Sequence, residues 1–448
     1  MQIREWVERI RHSLWFIPGL AVLAAGAAAL AMLAISEALG QVDADLPIVF
    51  SAGPDGARAT LQAIAGSVIT VAGVVFSITI VALQLTSTQF SPRVLRNFMR
   101  DRANQLVLGT FMGTFTYCLL VLRTIRSEDE LRGDAFVPNL AITGALLLAF
   151  FSLAMLIYFI HHISVRIQVT SIVGSVTRDT LGTIRHVAGW AEPDPKRGWL
   201  PVPTGPGAPP PPSGAVPTSE VAEGALLLRA RESGNLQLVD LEGLVARARE
   251  SGGRYRLLVS PGGWVQDRAA IAAFVPADRA TFDAEEHERH FLDVLAVADE
   301  RSSQQDVAFG IQQLVDIGSK ALSPSVNDPT TAMACIDRLV EVLVAAGLAS
   351  DPPRGFADLD GVLRLEVPFP WFDELVPLAF DQLRHYGATT PAVVIHFARG
   401  LSILLGALPD DRHPPLHAQA RELAAAAGVI TVEADRRRAL DALEPLLG

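Results

Sequence analysis

Four long apolar runs dominate the first third of the chain, at about 15–36, 62–88, 105–122 and 140–160. Each reaches the roughly 18–20 residues that a helix needs to cross about 30 Å of hydrocarbon. None carries a charged residue at its centre, so the pattern predicts four transmembrane helices. The first run follows Arg4, Arg9 and Arg11. A signal peptide has that charge order too, but three further spans follow this run.

Beyond residue 165 the apolar positions become periodic. The fourth run continues as an amphipathic pattern to about Val187, a helical extension over 166–192. Residues 193–217 hold ten prolines and break all periodicity, as a linker does. Residues 218–280 alternate and turn: ALLLRA, then DLEGLVARARE, then RYRLLVSPGGWV and AAIAAFV. That reads as a small α/β or β-rich module, with Pro261-Gly262-Gly263 a turn between strands. Residues 281–448 read as mainly helical. Asp306 precedes VAFGIQQLVDIGSKAL as a helix N-cap, and Asp328-Pro329 combines an N-cap with proline at the first helical position. The expected architecture is an α-helical membrane domain with four transmembrane helices, residues 1–165, plus a cytoplasmic α+β domain.

The second run departs from simple hydrophobicity. Gly66, Ser67, Thr70, Gly73, Val74, Ser77, Val81, Gln84, Thr88 and Ser91 recur at spacings of three, four and seven, which places them on one helix face, small or hydroxylated for almost its whole length. Two readings fit a small, hydroxylated stripe. It packs helices together, or it faces water and lines a pore in an oligomer. On the second reading Thr70, Ser77, Gln84, Thr88 and Ser91 line the path. Gln84 discriminates best, because an amide deep in a bilayer needs partners. After Pro92, the residues Arg93, Arg96 and Arg100 share a face at the membrane surface. They either set topology and contact anionic lipid or form a basic inner mouth. In the third run Gly109-x-x-x-Gly113 reads as close helix packing.

Charge adds orientation. The arginines of the N-terminus and of the 93–102 loop place both on the cytoplasmic side, so both termini are cytoplasmic. Residues 1–165 hold 11 basic and 11 acidic residues; the remaining 26 basic and 37 acidic residues carry the whole net charge of −11. An acidic soluble part argues against nucleic-acid binding. Only Cys118 and Cys335 are present, too few for a disulfide framework.

No Walker loop, nucleophile elbow or metalloprotease helix is found, so no catalytic residue, metal site or cofactor is expected. Glu285–His290 and His413/His417 have ligand-like spacing, but surface charge accounts for both. Asn327, Asp328, Pro329 and Thr330 form the most distinctive soluble motif, a tight helix–helix corner or a ligand site at a helix N-terminus.

Two segments, SITIVALQLTSTQFSPRVLRNFMRDRANQLVLGTFMGTFTYCLLVLRTIR and QDVAFGIQQLVDIGSKALSPSVNDPTTAMACIDRL, resemble the hallmarks of a bacterial predicted-membrane-protein family, domain of unknown function 2254. The resemblance implies a multi-pass inner-membrane protein with a cytoplasmic C-terminal domain, and it implies no activity. The expectation is a homo-oligomer in the lipid bilayer that conducts inorganic ions along the second span. The alternative is a membrane-anchored sensor or scaffold without conduction.

Overall fold

A computed structural model describes residues 16–38, 53–89, 102–126, 136–166, 168–202, 225–276, 288 and 291–447 of the chain. The chain divides into two compact units, Met1–Ser171 and Ile172–Gly448.

The first unit is four helices: α1 (Phe16–Ala38), α2 (Pro54–Gln89), α3 (Arg102–Leu122) and α4 (Asn139–Arg166). All four are long and apolar enough to cross a membrane. The second begins at Pro54, well before the apolar run, because Pro-Asp-Gly is a favourable first turn for a helix. Helix α3 is the hub, flanked by the other three. Leu33, Leu61, Ala65, Tyr117, Val121 and Ile142 form one buried cluster. Val75, Phe111, Met155 and Phe159 belong to a second. Two hydrogen bonds pin α3 to α4: Thr114 Oγ1 and Ser152 Oγ lie 3.0 Å apart, and Tyr117 Oη donates to Ala141 O at 2.9 Å. Large apolar side chains point outward on α1 (Leu20, Leu23, Leu30) and on α4 (Leu147, Phe150, Leu153, Ile157). Such an inside-out surface is stable against hydrocarbon and not against water.

Helix α5 (Val169–Ala188) lies mostly in the second unit, which starts at Ile172, so the fourth apolar run and its extension are two helical segments. A six-stranded sheet follows, in the order β1 (Leu200–Pro201), β8 (Gly355–Ala357), β9 (Leu363–Glu366), β4 (Arg254–Leu257), β6 (Ala270–Val275) and β2 (Leu226–Arg229). Only the β4–β9 pairing in it is parallel. A separate three-stranded antiparallel sheet orders β5 (Trp264–Val265), β3 (Gly234–Val239) and β7 (Leu295–Ala298). Helix α6 (Leu241–Glu250) is capped by Asp240, whose carboxylate accepts from Gly243 N at 3.0 Å.

Helices α7 (Val307–Ala321), α8 (Pro329–Leu348), α9 (Phe372–Gly387), α10 (Pro391–Ala407), α11 (His413–Ala427) and α12 (Glu433–Leu443) complete the unit. The expected boundary near residue 280 is crossed twice. β7 pairs with β3, and β9 pairs with β4, so the β-rich and helical stretches share their sheets. Likewise Pro261-Gly262-Gly263 turns the chain, with Gly262 at φ 85°, but the strands on its two sides lie in different sheets.

One short segment ties these layers together. Gln305 exchanges two hydrogen bonds with the backbone of Val239 on β3, at 2.9 and 3.0 Å. Asp306 caps α7 through Phe309 N at 2.9 Å and takes both Nε and Nη2 of Arg301. Burial pushes the Asp306 carboxyl up from its ordinary value, while Arg301 and the Phe309 amide pull it back. Thr183 Oγ1 on α5 donates to Ser303 O at 2.5 Å. One turn further along, a Cβ added to Gly310 lies 2.0 Å from Thr180 Oγ1, so α5 and α7 touch backbone to side chain.

That contact predicts a graded result. Gly310→Ala forces α5 away from α7 and costs about 1–3 kcal/mol, the usual range for overpacking. Gly182→Ala on α5 meets nothing within 4 Å and gains roughly 0.5–1 kcal/mol of helix stability. Tryptophan fluorescence melts check both, since Trp190 and Trp199 are buried in this unit.

The outward face of the second span

Helix α2 has two faces. Leu61, Ala65, Val68, Ala72, Val75 and Ala82 are buried against α3 and α4. At about 100° per residue, Gly66, Thr70, Gly73, Ser77 and Gln84 fall roughly opposite, and all five are exposed. These five residues therefore lie on the side of α2 turned away from its buried contacts with α3 and α4.

The hydroxyls on this face are satisfied locally. Ser67 donates to Ala63 O at 2.6 Å, Thr70 to Gly66 O at 2.8 Å and Ser77 to Gly73 O at 2.9 Å. Each uses the helix's own carbonyl one turn back, the arrangement open to Ser and Thr in apolar surroundings. The stripe thus combines small size with internally paired polarity. Gln84 projects from the same face and is exposed. Thr88 lies in the last turn of α2 with its side chain outside the described residues, and Ser91, Arg93, Arg96 and Arg100 also lie outside them.

The glycines separate two uses of small residues. On α3, a Cβ at Gly109 would sit 3.0 Å from Ala21 Cβ, and one at Gly113 would sit 3.2 Å from Ala21 O and from Ala25 Cβ. Here α1 crosses α3 closely, as small-xxx-small spacing permits. On α2, nothing lies within 4 Å of a Cβ built on Gly66 or Gly73. The first motif is filled within the protomer and the second is open. Two polar residues at the start of α3, Asn104 and Gln105, are buried. The sequence reading passed over them, although an amide pair opening an apolar run was the available signal.

The soluble motif is a self-contained corner. Asn327 adopts φ 48°, a left-handed conformation that Asn tolerates, and turns the chain into α8. The Asp328 carboxylate accepts from Thr331 N at 3.1 Å and from Thr331 Oγ1 at 2.5 Å, so the end of α8 is occupied by the chain's own anion. Pro329 is the first residue of α8, and Thr330, beside it, is exposed. Bonds from the Thr331 side chain and backbone hold the Asp328 carboxyl below its ordinary 3.8. His413 and His417 each meet a backbone oxygen, those of Leu408 at 3.0 Å and Leu446 at 2.8 Å. Among the described residues no group of three or more His, Cys, Asp or Glu is placed to hold a metal ion.

Compared with known families, residues 11–402 match the model described as Predicted membrane protein (DUF2254). The match spans both hallmark segments and ends inside α10. Uncharacterized proteins of Mycobacterium bovis and Mycobacterium tuberculosis are 33% identical over 411 residues, covering 88% of this chain and 72% of theirs. No solved structure matches the chain at a significant level.

Two outcomes follow. Gly113→Leu drives a side chain into α1 and lowers the melting temperature and detergent-solubilised yield, whereas Gly73→Leu leaves the protomer's melting unchanged; a fluorescence melt in detergent compares them. Asp328→Ala removes the cap of α8 at a cost of about 1 kcal/mol near neutral pH. Because the folded carboxyl titrates below its unfolded value, that stabilisation is present above about pH 4 and fades as pH falls through the folded value. Melts of wild type and variant therefore converge in acid.

Proposed function

We propose, taking as premise that this chain belongs to the DUF2254 family of predicted membrane proteins, that copies of it associate through the outward face of α2 and that this face borders a path for inorganic ions. On this reading the protein sits in a bacterial inner membrane with both termini cytoplasmic, a placement supported by the arginine distribution. It is not an enzyme on this reading. Lipid and further copies of the chain are its partners, and the acidic soluble unit assembles or gates the ring.

One observation carries the proposal. Helices α1 and α4 show large side chains such as Leu23, Leu147 and Phe150, whereas the far side of α2 sets Gly66, Thr70, Gly73, Ser77 and Gln84 among the exposed Val74 and Val81. Small residues let a second helix approach closely. Thr88 and Ser91 continue the stripe, and Arg93, Arg96 and Arg100 follow at the cytoplasmic end in sequence. They would make the inner mouth basic and favour anions.

The back-bonded hydroxyls favour a second reading. Ser67, Thr70 and Ser77 need no water, so the face also suits a dry helix–helix contact. The assembly is then a membrane-anchored sensor or scaffold.

Single-cysteine crosslinking separates these cases. The two native cysteines, Cys118 and Cys335, are buried and leave a quiet background. Thr70→Cys and Ser77→Cys are expected to form intermolecular disulfides in membranes, while Phe150→Cys on α4 does not. Equal crosslinking at all three positions would remove the association. Ion flux from proteoliposomes, wild type beside Gln84→Leu, then divides the readings: a flux that changes with the substitution supports permeation, and crosslinked but silent protein supports the scaffold.

A further inference from the structure

The soluble unit contains a cavity of about 630 Å³ that none of the foregoing uses. Three segments distant in sequence build it: the stretch ending in β1, the loop before β8 with the start of α9, and the turn that leads into α11. Its size lies within the range of small-molecule sites, about 300–1,000 Å³.

Its walls are stiff. Pro193, Pro201, Pro353 and Pro415 all line it. Each fixes its own backbone φ, so the cavity exists before any ligand arrives and little ordering is required on binding. Trp371 is braced from behind. The Arg354 guanidinium lies 3.8 Å from its ring centroid, and the indole N–H donates to Pro352 O at 3.2 Å.

Its polar groups carry a definite sign. Asp351, Asp373, Asp411 and Arg412 face the cavity. Arg412 is committed to Asp351 at 2.7 Å, and Asp351 also accepts from Phe372 N at 3.2 Å. Asp373 and Asp411 have no ion-pair or hydrogen-bond partner among the described residues, and both are exposed at the mouth. Two uncompensated carboxylates remain. Asp373 stands at the start of α9 and Asp411 in the turn before α11, so the two charges reach the proline-walled cavity from different segments.

We infer that this cavity binds an aliphatic diamine or polyamine: ammonium groups pair with Asp373 and Asp411, and the methylene chain lies against the prolines and Trp371. The chemistry follows from the lining. Two negative charges on different segments of the lining pair with two positive ones. The apolar lining of prolines and Trp371 rewards a methylene spacer over bulk water. This site is independent of the permeation reading, because it lies wholly within the soluble unit.

Calorimetric titration of the full-length protein in detergent tests the inference. The probes are 1,4-diaminobutane and spermidine, with n-butylamine and magnesium chloride as controls at matched ionic strength. The expected result is saturable diamine binding at least tenfold tighter than the monoamine, and a further tenfold loss in the Asp373→Asn/Asp411→Asn double variant. Both substitutions are at exposed positions, and an unchanged melting temperature confirms folding. A second variant, Val202→Arg, fills the apolar wall with a cation and should abolish binding without touching either carboxylate. Equal heats from diamine, monoamine and magnesium would reduce the effect to charge screening and overturn the site. So would full affinity in the double variant, or no heat with either amine at millimolar concentration.

Discussion

A buried amide and a buried carboxylate, adjacent in sequence, hold the soluble unit in register. Gln305 completes the hydrogen bonding of β3 from outside its own sheet, and Asp306 starts α7 while neutralising Arg301. Neither interaction is large by itself, since a hydrogen bond nets about 0.5–1.5 kcal/mol. Their weight comes from what they would leave behind. Without Gln305 the Val239 backbone is buried and unpaired, and without Arg301 a carboxylate loses its counterion in a site closed to water. Sheet, bundle and α5 meet at this point, so its polar groups specify one arrangement of three elements that apolar packing alone leaves free to slide.

The unit of four apolar helices solves a different problem with few polar groups. Inside hydrocarbon the backbone satisfies itself, and each side-chain hydroxyl must do likewise or find a neighbour. Thr114 and Ser152 find each other across α3 and α4. Ser67, Thr70 and Ser77 turn back onto their own helix. The same residue types thus do opposite things, joining helices in one place and leaving a helix surface unjoined in another.

What the sequence disclosed follows the range of the interactions. Asp306 and Asp328 were legible as caps because a cap acts over three residues. The four spans were legible because hydrophobic length needs no partner. The stripe of α2 was legible as a face, but periodicity gives no indication of what a face looks at; only the burial of Leu61, Ala65 and Ala72 shows that it points outward. Strands β8 and β9 escaped because three- and four-residue segments have no period to read, and their distant partners, β1 for β8 and β4 for β9, lie a hundred or more positions away. The cavity escaped for the same reason, since Pro201, Trp371 and Arg412 meet only in the fold.

The hydroxyls of α2 also have a mechanical consequence. A span tied to its neighbours by hydrogen bonds cannot turn about its axis without breaking them inside hydrocarbon. On the outward side of α2 the hydroxyls travel with the helix, because donor and acceptor belong to the same turn. Rotating that surface against a facing helix breaks no polar bond of Ser67, Thr70 or Ser77, and resistance from these residues is a matter of shape, which glycines at 66 and 73 keep smooth. Thr70 and Ser77 therefore give the helix polarity without friction.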